Sequence, residues 1–371
     1  MKKLIGLVLA SVMVISLAAC GSSAQGTGTT AAAATTAAAS TTQAAAAATT
    51  AAAAATTKAA AAATTAAAAS TGKKLKVAIC MSGAINDQGW NQTAYEGAKE
   101  ACEKYGYDLS YTENLATADI AAAFTDYANG GYDVIIGHGF EFGDPALEVA
   151  KNFPKVKFIC TEADASADNV ASYVMACEQT AYVEGIIAAK MTKANKVGAI
   201  GPIQGDSLVK IINGFEDGAK SVTPDIKVES AWTNSFTDTQ LAKEAAQAMI
   251  DDGVDVIKHC ANACGTGALN AATAAGIWCQ GDSYDQSSLA PKNILDSAIY
   301  KLNVVMDTAL GSIANNTFKG DVYNLGMKDG AVEVLMSDNI SADAKEAGQK
   351  AIDGIKNGSI TVKRDYTIRK N

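Results

Sequence analysis

Histidine is almost missing from this 371-residue chain: it occurs at two positions, His138 and His259. That leaves little from which to build a His-based metal site or a Ser–His or Cys–His nucleophile pair. No Gly-x-Ser-x-Gly elbow occurs, no Walker sequence, and no carboxylate pair at a spacing suited to acid–base work. Gly137-His138-Gly139 lacks the third glycine of a dinucleotide fingerprint, and Gly265-Thr266-Gly267 has no further glycine at the right offset. Cys260 and Cys264 stand alone, without the second pair a zinc site needs. The expectation is a protein that is not an enzyme, with no cofactor and no metal.

Basic charge is also scarce. Removing the three lysines before Lys73 from the 30 basic residues leaves 27 against 39 acidic ones, a net charge of −12. That balance argues against a nucleic-acid partner and for a soluble surface domain. Membrane-spanning length is lacking too, because the apolar stretch Leu4–Leu17 is short against the roughly 20 residues a span requires.

What the N-terminus does contain is an export layout. Lys2 and Lys3 form the charged start, Leu4–Leu17 the apolar centre, and Ala18-Ala19 the small residues before a cleavage point. Leu17-Ala18-Ala19-Cys20 resembles the bacterial lipoprotein signal, with Cys20 as the lipidated residue. Residues 1–19 are therefore read as a signal peptide and 20–72 as an Ala/Thr-rich tether. Thr pairs interrupt its alanine runs and leave no apolar stripe for a core. Residues 73–371 remain, near the size at which one core splits into two.

From Leu75 the pattern alternates strand and helix. Strands are expected over Leu75–Met81, Tyr107–Glu113, Tyr132–Gly137, Val156–Thr161 and Val170–Met175, with helices over Asn91–Tyr105, Ala118–Ala128 and Asp144–Asn152. The rhythm repeats with helices Ala181–Lys193, Ser207–Ser221, Thr237–Asp252 and Thr266–Ala275. Between them lie strands Lys196–Gly201, Val228–Thr233, Val254–His259 and Gly276–Gly281. Such alternation implies parallel sheets with right-handed crossovers. The fold class is α/β: two doubly wound parallel-sheet lobes joined by a hinge. Lobe 1 covers about 74–178 plus part of 293–320, and lobe 2 about 179–292 plus part of 321–371. Later, Leu295–Ala314 reads as one long helix, Val322–Met336 as a β-hairpin around Lys328-Asp329-Gly330, and Ser341–Asn357 as a terminal helix. The seven cysteines after Cys20 sit mostly in apolar runs and are read as free core thiols.

In open α/β sheets ligands bind where strands end, and Val77–Gln92 is such a corner. Trp90 follows Gly89 there, placed either to stack a flat ligand ring or to shield the helix start. Asn91 could cap the helix or bind ligand. Asp282 ends a strand and suits paired hydroxyls, or caps the next segment. Phe236 leads Trp232 and Trp278 as an aromatic of the second lobe. Thr266 and Gly267 open a helix whose free N–H groups can hold a polar atom or be capped in the ordinary way. His138 and Phe140 sit at another strand end, where His138 could donate to ligand or face solvent. His259, inside an apolar strand, is read as structural.

Motifs in order sharpen this. Ile85-Asn86-Asp87-Gln88-Gly89-Trp90-Asn91-Gln92 with Tyr95-Glu96-Gly97 is followed by Gly137-His138-Gly139-Phe140-Glu141-Phe142 and Gly214-Phe215. Ser235-Phe236-Thr237-Asp238, Gly265-Thr266-Gly267 and Gly281-Asp282-Ser283-Tyr284-Asp285-Gln286 complete the series. Residues 74–371 thereby resemble the basic membrane protein family of lipoproteins, type I solute-binding proteins of ABC importers whose characterised members include purine-nucleoside receptors. The resemblance implies a type I periplasmic-binding-protein-like fold and a ligand site including Trp90, Asn91, Asp87, His138, Phe140, Phe236, Thr266, Gly267 and Asp282. It adds Lys301, where the family carries a ligand-contacting lysine. It also implies a small nucleoside-like ligand, an ABC permease as partner, and a lipid anchor on the extracytoplasmic face of the cell membrane. The family's usual first-strand aspartate is replaced by Met81, which removes an acceptor for a purine ring, and its stacking phenylalanine by Trp90. A nucleobase or sugar-like ligand, for import or sensing, is the alternative; a nucleoside hydrolase is disfavoured.

Overall fold

A run of residues buried on both faces opens the fold: β1 (Lys76–Met81) has every residue from Val77 onward buried, as expected of a central parallel strand. The computed structural model describes residues 74–87 and 89–369. The expected signal peptide, Cys20 and the Ala/Thr tether lie outside the described residues. α1 (Trp90–Tyr105) returns across the sheet and stops at Gly106, whose φ of 71° lets its N–H reach back to the helix carbonyls. β2 (Asp108–Thr112), α2 (Ile120–Asn129), β3 (Val134–His138), α3 (Gly143–Ala150) and β4 (Lys157–Thr161) continue the alternation, and β5 (Val170–Met175) follows β4 without an intervening helix.

The second lobe follows with α4 (Cys177–Met191), β6 (Lys196–Gly201), α5 (Asp206–Val222) and β7 (Lys227–Trp232). Then come α6 (Thr239–Asp251), β8 (Val256–His259), α7 (Thr266–Ala275), β9 (Trp278–Gly281) and β10 (Ile294–Tyr300). The chain finishes with α8 (Leu302–Ala314), β11 (Val322–Leu325), β12 (Val332–Met336) and α9 (Ala342–Asn357). Two six-stranded sheets result, ordered β11-β5-β4-β3-β1-β2 and β12-β10-β9-β8-β6-β7.

Two sequence expectations are corrected. Residues 295–314 are not one helix: β10 runs to Tyr300, Lys301 turns the chain with φ −93° and ψ 77°, and α8 begins at Leu302. β10 is buried on both faces, so it shows no alternation, and periodicity alone cannot separate it from a buried helix. Nor is Val322–Met336 a hairpin. β11 pairs in parallel with β5 in the first sheet, while β12 pairs antiparallel with β10 in the second. The tight turn closing at Gly330, φ 75°, is a crossing between lobes.

The chain passes between sheets at 175–177, 300–302 and 325–332. Every parallel strand at these crossings leaves from its C-terminal end, so the C-terminal edges of both sheets face the hinge. α8 packs on α1 in the first lobe and α9 on α4 in the second. One apolar core joins Val77, Ile79 and Ile136 through Met175, Val183 and Ile187 to Val197, Leu295 and Val332. The seven cysteines of the described residues are all buried and free. Among the described residues no helix is long and apolar enough to cross a membrane.

Candidate functional site

The β1–α1 corner is built around one carboxylate. Asp87 Oδ1 accepts the N–H groups of Gly89 at 2.9 Å and Gln92 at 3.0 Å, and Oδ2 accepts Asn91 N–H at 3.0 Å and Asn91 Nδ2 at 2.9 Å. These are donors that a helix start leaves without intrahelical partners. Burial opposes the charge of Asp87, but the bonds from Asn91, Gln92 and Gly89 outweigh it and hold the carboxyl below the ordinary carboxylate range. Asn91 is itself buried, and its Oδ1 accepts Gly83 N–H at 3.3 Å. Asp87 and Asn91 thus shape the corner and fix where α1 starts.

That start sets Trp90. Its ring lies on His138, with centroids 4.4 Å apart and planes 28° apart. His138 Nε2 is 3.2 Å from the Trp90 carbonyl oxygen, which can only accept, so Nε2 carries the proton. Nδ1 then accepts from the Thr161 hydroxyl at 2.8 Å, and Thr161 Oγ1 accepts Gly139 N–H at 3.1 Å. Burial pushes the imidazole down to about 4, against the Trp90 carbonyl and Asp87, so it is neutral at pH 7. Both alternatives for His138, donation to ligand and a solvent-facing ring, are therefore corrected: the ring is fully buried and both nitrogens are used inside the protein. It backs Trp90, which stays partly exposed.

On the second lobe, Asp282 follows β9. Oδ1 accepts the Tyr300 hydroxyl at 2.8 Å and Oδ2 the Ser283 hydroxyl at 2.7 Å, while Lys258 Nζ stands 4.0 Å from Oδ1. Lys258 and Glu184 form a fully buried ion pair at 2.6 Å. Burial works against the Lys258 charge, but Glu184 and Asp282 overcome it and keep the ammonium protonated. Asp296, beneath them, accepts from Gln280 Nε2 at 2.9 Å; burial first, then Glu184, pushes it well above the carboxylate range. Gln286 Oε1 accepts Asp282 N–H at 3.0 Å and the His259 Nε2–H at 2.9 Å. Asp282 is thus buried and held by Tyr300, Ser283 and Gln286.

The lobes approach each other at this level. Asn262, with φ 51° just past β8, puts its Oδ1 where a Cβ on Gly89 would stand 3.1 Å away. The remaining candidates scatter. Phe140 and Phe236 are 48% and 39% exposed at the strand-end loops of opposite lobes. Thr266 Oγ1 donates to Ala263 O at 2.9 Å. Gly267 serves packing, since a Cβ there would lie 1.8 Å from Thr239 O on α6. Lys301 caps the turn into α8 at the second crossing and pairs with Glu333 at 2.6 Å. Met81 is fully buried beside His138. Sequence reading missed Thr161, Asn262, Tyr300 and Lys258. Only Lys258 carried a signal, a lone lysine inside the apolar run Val256-Ile257-Lys258-His259.

Two mostly parallel-sheet lobes, joined at three crossings and facing each other through their strand ends, define a type I periplasmic-binding-protein fold. The chain belongs to the Bmp family, ABC transporter substrate-binding protein PnrA-like, whose model matches residues 74–365. It is 33% identical to the ABC transporter nucleoside-binding protein BmpA of Lactococcus lactis subsp. cremoris, over 78% of this chain and 89% of that one. It is 32% identical to a purine-binding protein of Brucella abortus, over 78% and 83%. An ABC transporter solute-binding protein from Aeropyrum pernix K1 shares the fold, with a TM-score of 0.68 at 23% identity, covering 78% of this chain and 94% of that one.

Proposed function

We propose that the protein captures a purine or related nucleoside outside the cytoplasm and delivers it to an ABC permease, tethered to the membrane through lipid on Cys20. The observation that carries this reading is Trp90, backed on one side by the neutral ring of His138 and partly exposed. Base–aromatic stacking contributes about 1–3 kcal/mol per base. Asp282, fixed by Tyr300 and Ser283, suits the paired hydroxyls of a ribose. The names of the Lactococcus and Brucella relatives support the same ligand class. Closure of the lobes would bury the solute between these two walls.

Calorimetry of the protein against purine nucleosides, free bases and sugars tests the reading. Nucleosides are expected to bind more tightly than either the matching base or the sugar. Equal affinity for base and nucleoside would remove the role of Asp282, and binding of sugars alone would overturn the assignment.

A further inference from the structure

Solute capture makes no use of the charge buried at the first crossing, where β5 hands over to α4. Lys210 lies on α5 in the second lobe and is 1% exposed. Its Nζ donates to the carbonyl of Met175, the last residue of β5 in the first lobe, at 2.8 Å. It stands 3.5 Å from Glu162 Oε2 and 3.7 Å from Glu178 Oε2. Glu162 follows β4 with φ 54°, and its Oε1 accepts Met175 N–H at 2.7 Å. Met175 therefore gives its N–H to the carboxylate and its C=O to the ammonium. Glu178, in the first turn of α4, also meets Arg364 Nε at 3.4 Å, and Arg364 reaches Asn324 on β11 at 2.5 Å. Two cations and two carboxylates, drawn from both lobes, surround the crossing.

Lys210 rides on a stiff arm. A Cβ on Gly185 of α4 would lie 2.0 Å from Phe215 O, and one on Gly218 of α5 would lie 1.9 Å from Tyr182 O. Backbones this close leave no room for the helices to slide. α5 therefore moves with α4, and α4 starts at the crossing itself. Glu162, in contrast, is bonded to the first sheet through Met175 N–H, and its own N–H donates to Tyr173 O at 3.1 Å. Rotation of the second lobe about this crossing must carry the ammonium relative to Glu162. A buried charge parted from its acceptors is strongly unfavourable.

We propose that Lys210 is a positioning residue that sets the resting angle between the lobes. With Glu162 it forms an interlobe charge lock favouring the near arrangement in which Gly89 approaches Asn262. Its consequence for affinity rests on the nucleoside reading above; its consequence for geometry does not. Opening the lobes strains the lock, and losing the lock shifts the population toward open forms that must be closed again on binding.

Spin labels on non-natural residues replacing the exposed Glu100 on α1 and Glu244 on α6 report the interlobe distance without ligand. Lys210→Met is expected to lengthen and broaden the distance distribution and to raise the nucleoside Kd by about 3- to 30-fold. Glu162→Gln keeps the side-chain volume and an acceptor for Met175 N–H while removing the charge, and should move both readouts less in the same direction. Distributions that superimpose on wild type in the folded variants would overturn the lock. Should Lys210→Met fail to fold, Glu162→Gln decides the matter alone. Moved distances with no nucleoside binding would sink the ligand reading and leave the lock standing; unmoved distances with intact binding would do the reverse.

Discussion

Trp90 and His138 hold each other twice: their rings stack at 4.4 Å, and the imidazole Nε2–H donates to the Trp90 carbonyl at 3.2 Å. Backbone and side chain of Trp90 are thus fixed by one neutral ring. Trp90→Ala is expected to raise the Kd for a purine nucleoside by about 10- to 100-fold, the scale of one base–aromatic stack, and to lower the melting temperature, because the ring also packs on His138. Calorimetry on the folded variant checks this, and an unchanged Kd would remove Trp90 from the site.

The same pair makes stability depend on pH. His138 is held near 4 against an ordinary value of 6.5, so between these values the unfolded chain binds a proton that the native protein does not. His138 therefore contributes stability that is lost as pH drops from about 6.5 to about 4, about 3 kcal/mol in total. Urea titrations across this range should show His138→Gln with a shallower slope than wild type. Parallel curves would mean that the imidazole is not buried as described.

Lys258 and Glu184 are an unexposed pair, and cutting one partner leaves the other charge stranded. Lys258→Met is expected to cost about 3–5 kcal/mol. The double variant Lys258→Met with Glu184→Gln should recover part of that loss. A strictly additive pair in denaturant melts would contradict a direct coupling.

Gly267 separates packing from ligand contact. Its α-carbon faces Thr239 O so closely that Gly267→Ala must push α7 from α6. The melting temperature should fall while the Kd of the folded fraction changes less than twofold or so. A weakened Kd at unchanged stability would instead return Gly267 to the ligand site.

The buried thiols give a simpler check. Burial pushes Cys80 and Cys160 up to about 12, so neither thiolate nor access is available at neutral pH. Native protein should leave the seven cysteines from Cys80 to Cys279 unreacted with a thiol reagent, and urea should release them together. Fast labelling of any one in native buffer would contradict its burial.

The two-lobed α/β plan was legible because β1 to β9, the step from β4 to β5 apart, alternate with helices of ordinary length. It failed at β10, whose burial on both faces erased the period of two. It failed again at 322–336, where a turn read locally as a hairpin sends its strands to different sheets; pairing partners far away in sequence decide that. In the site, Trp90 and Asp282 were visible as strand-end residues. The role of His138 was not, because the carbonyl and hydroxyl that occupy its nitrogens come from Trp90 and Thr161, distant in sequence. The packing demand on Gly267 was not visible either, because the close approach of α6 leaves no local mark.

The three crossings carry a consequence for biosynthesis. β11 completes the first sheet and β12 the second, and both lie downstream of every other strand. Neither lobe is a contiguous piece of chain, so no N-terminal fragment ending before Val322 contains a finished sheet. A nascent chain cannot lock into its final form until its last strands are made. That delay predicts that splitting the gene between lobes yields two pieces that fold only together.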